Sequence, residues 1–161
     1  MNDPTLSVRE LESTDIDSIN DYWHCASPTH LESMGVDINK LPPREQFTSY
    51  LSGELNLKIE EKQSYCIIWQ IDGQPVGHSN TNPTKFNDEA YMHLHLWDSG
   101  SRRHGLGSKF LMMTLPYYFN QLKLKTLFCQ PYALNHAPNN TLEKAGFEFI
   151  KELVPYFLRK R

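Results

Sequence analysis

Residues 102–108 read Arg102-Arg103-His104-Gly105-Leu106-Gly107-Ser108, and they stand between a strand pattern and a helix pattern. Upstream, Ala90–Trp97 (AYMHLHLW) alternates strictly. Met92, Leu94 and Leu96 fall on one face of that strand, and Tyr91, His93, His95 and Trp97 on the other. Downstream, Leu106, Phe110, Met113 and Tyr117 recur on one helical stripe, with Pro116 expected to kink or restart the helix. Two glycines one residue apart let the backbone turn tightly and come close to a ligand. The helix start adds unpaired N–H groups and a positive dipole end, which suit a phosphate or pyrophosphate. Arg102, Arg103 and His104 bring local positive charge to the same loop. A Rossmann fingerprint would need glycine where Phe110 stands, and the Walker pattern would need Gly-Lys-Ser/Thr, which is absent. What stands here is R-x-x-G-x-G. The plain alternative is an ordinary loop-to-helix turn with solvated basic residues.

Outward from this loop, Thr5–Leu11 reads as a first strand. Ser13-Thr14-Asp15 offers N-cap residues, with Asp17 placed as a capping-box acid for a helix over Ile16–Cys25. A short helix is expected over Thr29–Met34, ended by Gly35. Pro42-Pro43 starts another, carrying Phe47, Tyr50, Leu51 and Leu55. Tyr65–Ile71 (YCIIWQI) reads as a strand, Asp72-Gly73 as a hairpin turn and Gln74–Thr81 as the return strand. Thr126–Tyr132 is expected as a strand and Pro138–Ala145 as a helix closed by Gly146. Phe147–Leu153 reads as a late strand, and Tyr156–Arg161 as a final strand or a tail. The order β-α-α-β-β-β-α-β-α-β describes a mixed α/β chain with a central hairpin and two later crossovers.

The 161 residues are 39% hydrophobic and 22% charged, which describes one globular domain over 1–161 and excludes wholesale disorder. No apolar run approaches the length that spans a bilayer, and the polar start Met1-Asn2-Asp3-Pro4 has no secretory pattern. A net charge of −3 argues against nucleic acid or an anionic membrane as partner. Cys25, Cys66 and Cys129 are far apart and odd in number, which suits reduced thiols in a cytoplasmic protein. His93 and His95 have i, i+2 spacing with no third ligand in view, so no metal is expected.

R-x-x-G-x-G between strand and helix resembles the acetyl-CoA-binding motif of the GCN5-related N-acetyltransferase (GNAT) family. A second match follows downstream, where Asn135 precedes Glu143-Lys144-Ala145-Gly146-Phe147. Together the two motifs span Ala90 to Phe149, and the element order extends the resemblance over most of the chain. The resemblance implies a mixed, mostly antiparallel twisted sheet with a splayed parallel strand pair and helices on both faces. It implies acetyl-CoA as cosubstrate and no metal. The pyrophosphate would meet backbone N–H groups of His104, Gly105, Gly107 and Ser108, with Leu106 in the same turn and Arg102 and Arg103 flanking. Leu96 would touch the pantetheine near the acetyl end, and Asn135 would reach its arm. The acceptor would be a small-molecule or peptide amine, and the family admits a homodimer.

The chain departs from the family pattern at Pro138, where serine is usual, and at Leu142, where many members carry the tyrosine that protonates the leaving thiolate. Acetyl transfer needs a neutral amine, hence a base. His93 stands at about the position where members place one, and His95 is second; packing roles are the alternative for both. Tyr132 is the candidate acid, also weighed against packing. His78 and Asn80 on the preceding strand would line the same cleft. Cys129 reads as a core thiol. Tyr22–Gly35 and the helix after Pro43 set the acceptor end, with Trp23, His24, His30, Glu32 and Met34 as its wall. Glu32, Asp37 and Glu45 would attract a cation. The reading is an N-acetyltransferase working by direct attack in a ternary complex. The alternatives are an acyl-CoA-binding or regulatory module on the same fold, and an unrelated phosphate-binding α/β protein.

Overall fold

A computed structural model describes residues 2–98 and 105–152. The elements are β1 (Leu6–Glu10), α1 (Ile16–His24), α2 (Pro28–Ser33), α3 (Arg44–Asn56), β2 (Tyr65–Ile71), β3 (Gln74–Thr84), β4 (Glu89–Leu96), α4 (Leu106–Gln121), β5 (Thr126–Cys129) and α5 (His136–Lys144). The five strands form one sheet in the order β1-β2-β3-β4-β5. Every neighbouring pair is antiparallel except β4 and β5, which run parallel.

β2 is apolar on both sides, so it is covered on both sides. Tyr65, Ile67 and Trp69 face a core that includes Met92 of β4, Phe110, Leu111 and Tyr118 of α4, and Leu142 of α5. Cys66 and Ile68 face the other way, into Ile16 and Ile19 of α1 and Leu51 of α3. The helices therefore sit on both faces of the sheet, as expected from the sequence. Trp69 stacks on Phe110 with ring centroids 5.1 Å apart. Its indole N–H donates to Thr114 Oγ1 at 2.8 Å, so burying the ring leaves no orphan donor. Asp72 (φ 49°) and Gly73 (φ 77°) both occupy the left-handed region that a two-residue hairpin turn demands.

Several local expectations are corrected. The entry to α1 is a 3-10 turn at Ser13–Asp15. Asp15, not Asp17, is its capping acid: its Oδ2 accepts the Glu12 N–H at 2.8 Å. Both Asp15 oxygens also take bonds from Arg9, at 2.7 and 2.8 Å. α4 runs unbroken through Pro116. Pro116 and Met112 lie on its exposed face, so water reaches the Met112 carbonyl that lacks an intrahelical donor. β5 ends at Cys129 rather than Tyr132, because Pro131 has no N–H to give a ladder. Residues 147–152 form no strand. Phe149 and Ile150 are 84% and 71% exposed, so that alternation serves no buried face. The segment expected from Tyr156 to Arg161 lies outside the described residues.

Candidate active site

The parallel pairing is short. Glu89, Ala90, Tyr91 and Met92 face Thr126, Leu127, Phe128 and Cys129, and there it stops, while β4 continues to Leu96. The Trp97 N–H donates to the Val76 carbonyl of β3 at 2.9 Å. The Met92 carbonyl accepts from Cys129 Sγ of β5 at 3.1 Å. By the two-residue period of a strand, the backbone groups of Leu94 are aimed to the β5 side, past the last β4–β5 pair. The Leu94 and Leu96 side chains pack on the α4 core. Cys129 is held inert: burial pushes its thiol up to about 12.

The opposite face of β4 carries the polar groups. In the register, His78 lies opposite His95 and Asn80 opposite His93. Close approach of β3 and β4 depends on Gly77, where an added Cβ would stand 2.5 Å from the His95 carbonyl oxygen. His93 is exposed, and its Nε2 lies 2.9 Å from the Asn82 backbone carbonyl. A carbonyl only accepts, so Nε2 carries the hydrogen and, in the neutral ring, Nδ1 carries the lone pair. His95 is half-buried. Its Nδ1 lies 3.2 Å from the Tyr22 hydroxyl, which also lies 3.3 Å from Met34 Sδ. Trp23 packs edge-on against the His95 ring at 4.8 Å. His78 does not line an open surface. It is fully buried, and burial first, then the charge of His93, pushes its imidazole down to about 3.

Between α1 and the end of β4 lies an open cleft of about 400 Å³ lined by residues including Asp21, Tyr22, Cys25, His30, Trp97 and Asp98. Of the residues expected in this wall His30 lines it, whereas Trp23, His24, Glu32 and Met34 are not among its lining residues. His24 sits with its ring nitrogens 2.9 Å from the Asn20 and Pro42 carbonyls, and Trp23 packs on His95. Asp21 is bonded to Arg44 at 2.7 Å. Cys25 falls within the expected Tyr22–Gly35 span, whereas Asp21 and Asp98 were not expected as lining residues; the strand register and the α1 packing bring them together.

Gly105 (φ 67°) is the left-handed residue from which α4 starts, Leu106 is its first residue, and Gly107 and Ser108 lie in its first turn. At Gly107 an added Cβ would touch Thr141 of α5 at 3.5 Å. Arg102, Arg103 and His104 lie outside the described residues. Asn135 is the N-cap residue of α5, but its side chain makes no capping bond. Its N–H donates to the Tyr132 carbonyl at 2.9 Å. The Tyr132 ring lies against Gly35, 3.5 Å from where a Cβ would stand, so the end of α2 meets the turn after β5. Leu142, which replaces the usual tyrosine, is buried in the α4 core. Among the described residues no group of histidine, cysteine or carboxylate side chains is placed to hold a metal. No helix there is long and apolar enough to cross a membrane.

A mixed sheet whose one parallel pair parts midway, followed by a helix that opens on Gly105, has the layout that the resemblance implied for an acyl-CoA-dependent transferase. The family model described as "Acetyltransferase (GNAT) domain" matches residues 5–148. The chain belongs to the GNAT family and is an acetyl-CoA-dependent acetyltransferase. No curated protein matches the sequence. Among solved structures, spermidine N-acetyltransferase from Vibrio cholerae in complex with CoA and spermine is 14% identical with a TM-score of 0.75, covering 92% of this chain and 84% of that one. RimL, a ribosomal alpha-N-protein acetyltransferase in complex with coenzyme A, is 15% identical with a TM-score of 0.72, covering 89% and 80%. The N-acetyltransferase PseH from Campylobacter jejuni is 16% identical with a TM-score of 0.61, covering 92% of each. At these identities the likeness is one of fold.

Proposed function

We propose that the protein moves an acetyl group from acetyl-CoA to a primary amine by direct attack in a ternary complex. The observation that carries this reading is the parting of β4 and β5 beyond Met92 and Cys129. Pantetheine amides pair there with the Leu94 backbone, as a peptide pairs with a strand edge, and the Leu96 side chain touches the pantetheine near the acetyl end. A further backbone N–H of the site polarises the thioester carbonyl. Asn135 holds the pantetheine arm. Backbone N–H groups of His104, Gly105, Gly107 and Ser108 hold the pyrophosphate, with Arg102 and Arg103 flanking.

An alkyl ammonium has a pKa of about 10, so it must lose a proton before attack. His93 Nδ1 takes that proton, directly or through water, because Nε2 is committed to Asn82. The amine nitrogen then bonds to the carbonyl carbon and the C–S bond breaks. Solvent or the Tyr132 phenol returns a proton to the thiolate. The acceptor enters through the cleft between α1 and β4. Two aromatic rings in its wall, Tyr22 and Trp97, favour a cationic amine. A non-catalytic acyl-CoA-binding module is the second reading, and the buried Leu142 side chain favours it.

Thermal unfolding with acetyl-CoA, with ADP as control, tests the proposal. At a ligand concentration about a hundred times Kd, binding adds roughly 2.7 kcal/mol. That raises the melting temperature by roughly 5–10 °C for a domain of this size. A shift with acetyl-CoA but not ADP, followed by CoA release on adding amines, supports an enzyme. A shift with no release across the amine panel leaves the binding-module reading. No shift refutes the coenzyme site.

A further inference from the structure

The acceptor cleft has one wall residue whose orientation is set from behind. Trp97 lies where β4 ends and lines the cleft. Its indole N–H donates to His78 Nδ1 at 2.8 Å. His78 is on β3, fully buried, with its ring 4.8 Å from His95 and 6.0 Å from Tyr22. An imidazole that accepts at Nδ1 while neutral carries its hydrogen on Nε2, so the tautomer is defined by this bond. The steps proposed above use neither His78 nor the Trp97 N–H. A buried histidine with no part in proton transfer, bonded to a cleft-wall indole, has the arrangement of a support behind a recognition surface.

We infer that Trp97 is an acceptor-specificity residue and that His78 is the positioning residue that holds its indole plane against the cleft. This rests on the reading of that cleft as the acceptor side. Turning the indole breaks this bond and leaves Nδ1 of the buried His78 without its donor, a costly state for a buried acceptor. With His78 in place, Trp97 and Tyr22 present a preorganised aromatic corner to the incoming amine. Coenzyme binding is independent of this pair, because the coenzyme gap lies on the other side of β4.

The test is a set of variants: His78→Leu, which removes the acceptor nitrogen, His78→Gln, whose side-chain oxygen restores an acceptor, and Trp97→Phe, which removes the donor. Two readouts apply to each, with circular dichroism to confirm folding. One is protection of the Trp97 indole N–H from solvent exchange by NMR, which needs no substrate. The other is acceptor KM against kcat, with acetyl-CoA Kd measured separately. In His78→Leu the indole N–H loses protection and acceptor KM rises by about tenfold, a change of about 1.4 kcal/mol. The loss falls on KM rather than kcat, and acetyl-CoA Kd holds. His78→Gln recovers most of both readouts. Trp97→Phe raises KM similarly, and adding His78→Leu to it raises KM no further. Unchanged indole protection in His78→Leu overturns the positioning role. Lost protection with unchanged KM overturns the specificity role and faults the assignment of the cleft. Additive effects in the double variant overturn the link between the two residues. A raised acetyl-CoA Kd with constant acceptor KM also overturns it, because the indole then serves the coenzyme side.

Discussion

Among the histidines of the sheet, hydrogen bonding separates three situations. His93 is exposed and has one ring nitrogen committed to a carbonyl, which leaves the other basic. His95 shares its Nδ1 with a tyrosine hydroxyl, and His78 is buried and serves an indole. Only the first combines access with a defined lone pair. His93→Ala is expected to lower turnover by about 10²-fold while acetyl-CoA Kd stays within twofold. Steady-state kinetics beside calorimetric binding checks this, and unchanged turnover removes His93 from the mechanism. The alternation of Tyr91, Met92, His93, Leu94 and His95 made the shared face of the two histidines readable from sequence alone. The bond from Trp97 to His78 was not readable. It depends on β3 lying beside β4 in one register, and nothing local to either residue encodes that register.

β3 and β4 are held close by the absence of a side chain. At Gly77 a Cβ would stand 2.5 Å from the His95 carbonyl oxygen, so Gly77→Ala must push the two strands apart. A loss of about 1–3 kcal/mol is expected, as for other overpacked sites. It should appear as a lower denaturant midpoint, and turnover should fall beyond what the remaining folded fraction explains. A midpoint equal to wild type would show that β4 yields without strain. Elements with strong local chemistry were readable: β2 from its β-branched and aromatic run, the hairpin from Asp72-Gly73, the start of α3 from Pro43. The misread ones turned on tertiary context. Pro116 is harmless because it faces water, and the reading of β5 overran because a single imino nitrogen at Pro131 outweighs the flanking pattern. Phe147–Leu153 looked like a strand because alternation is only half of what a strand needs; the other half is a partner edge.

For the molecule as a whole, the motif pair at Arg102–Gly107 and Asn135–Phe147 carried the family from sequence, while the acceptor cleft had to wait for the packing of α1 over β4. One buried group also couples the whole fold to pH. His78 titrates near 6.5 when unfolded and near 3 when folded, because burial opposes its charge. The unfolded chain therefore binds one more proton between those values. The stability this contributes is fully present above about pH 6.5 and is lost as pH falls toward 3. The slope approaches about 1.4 kcal/mol per pH unit within that window. Denaturant unfolding of the wild type and His78→Gln between pH 7 and pH 4 should show a shallower decline in the variant. Equal slopes would mean the imidazole takes up its proton without unfolding.

The sheet order has a kinetic meaning. β2, β3 and β4 form a meander in which each strand meets the next in sequence, whereas β1 reaches β2 only across α1, α2 and α3. Closing a two-residue turn costs far less entropy than closing that long excursion, so the meander is the natural nucleus and β1 a late arrival. Gly73→Ala, which strains the turn at φ 77° without touching a neighbour, should slow refolding and leave unfolding nearly as it was. Val8→Ala in β1 should do the reverse and chiefly hasten unfolding, a contrast that stopped-flow mixing resolves. The N-terminal strand then acts as the clasp rather than the seed of this domain, and the acceptor wall borne by α1 is assembled only when that clasp closes.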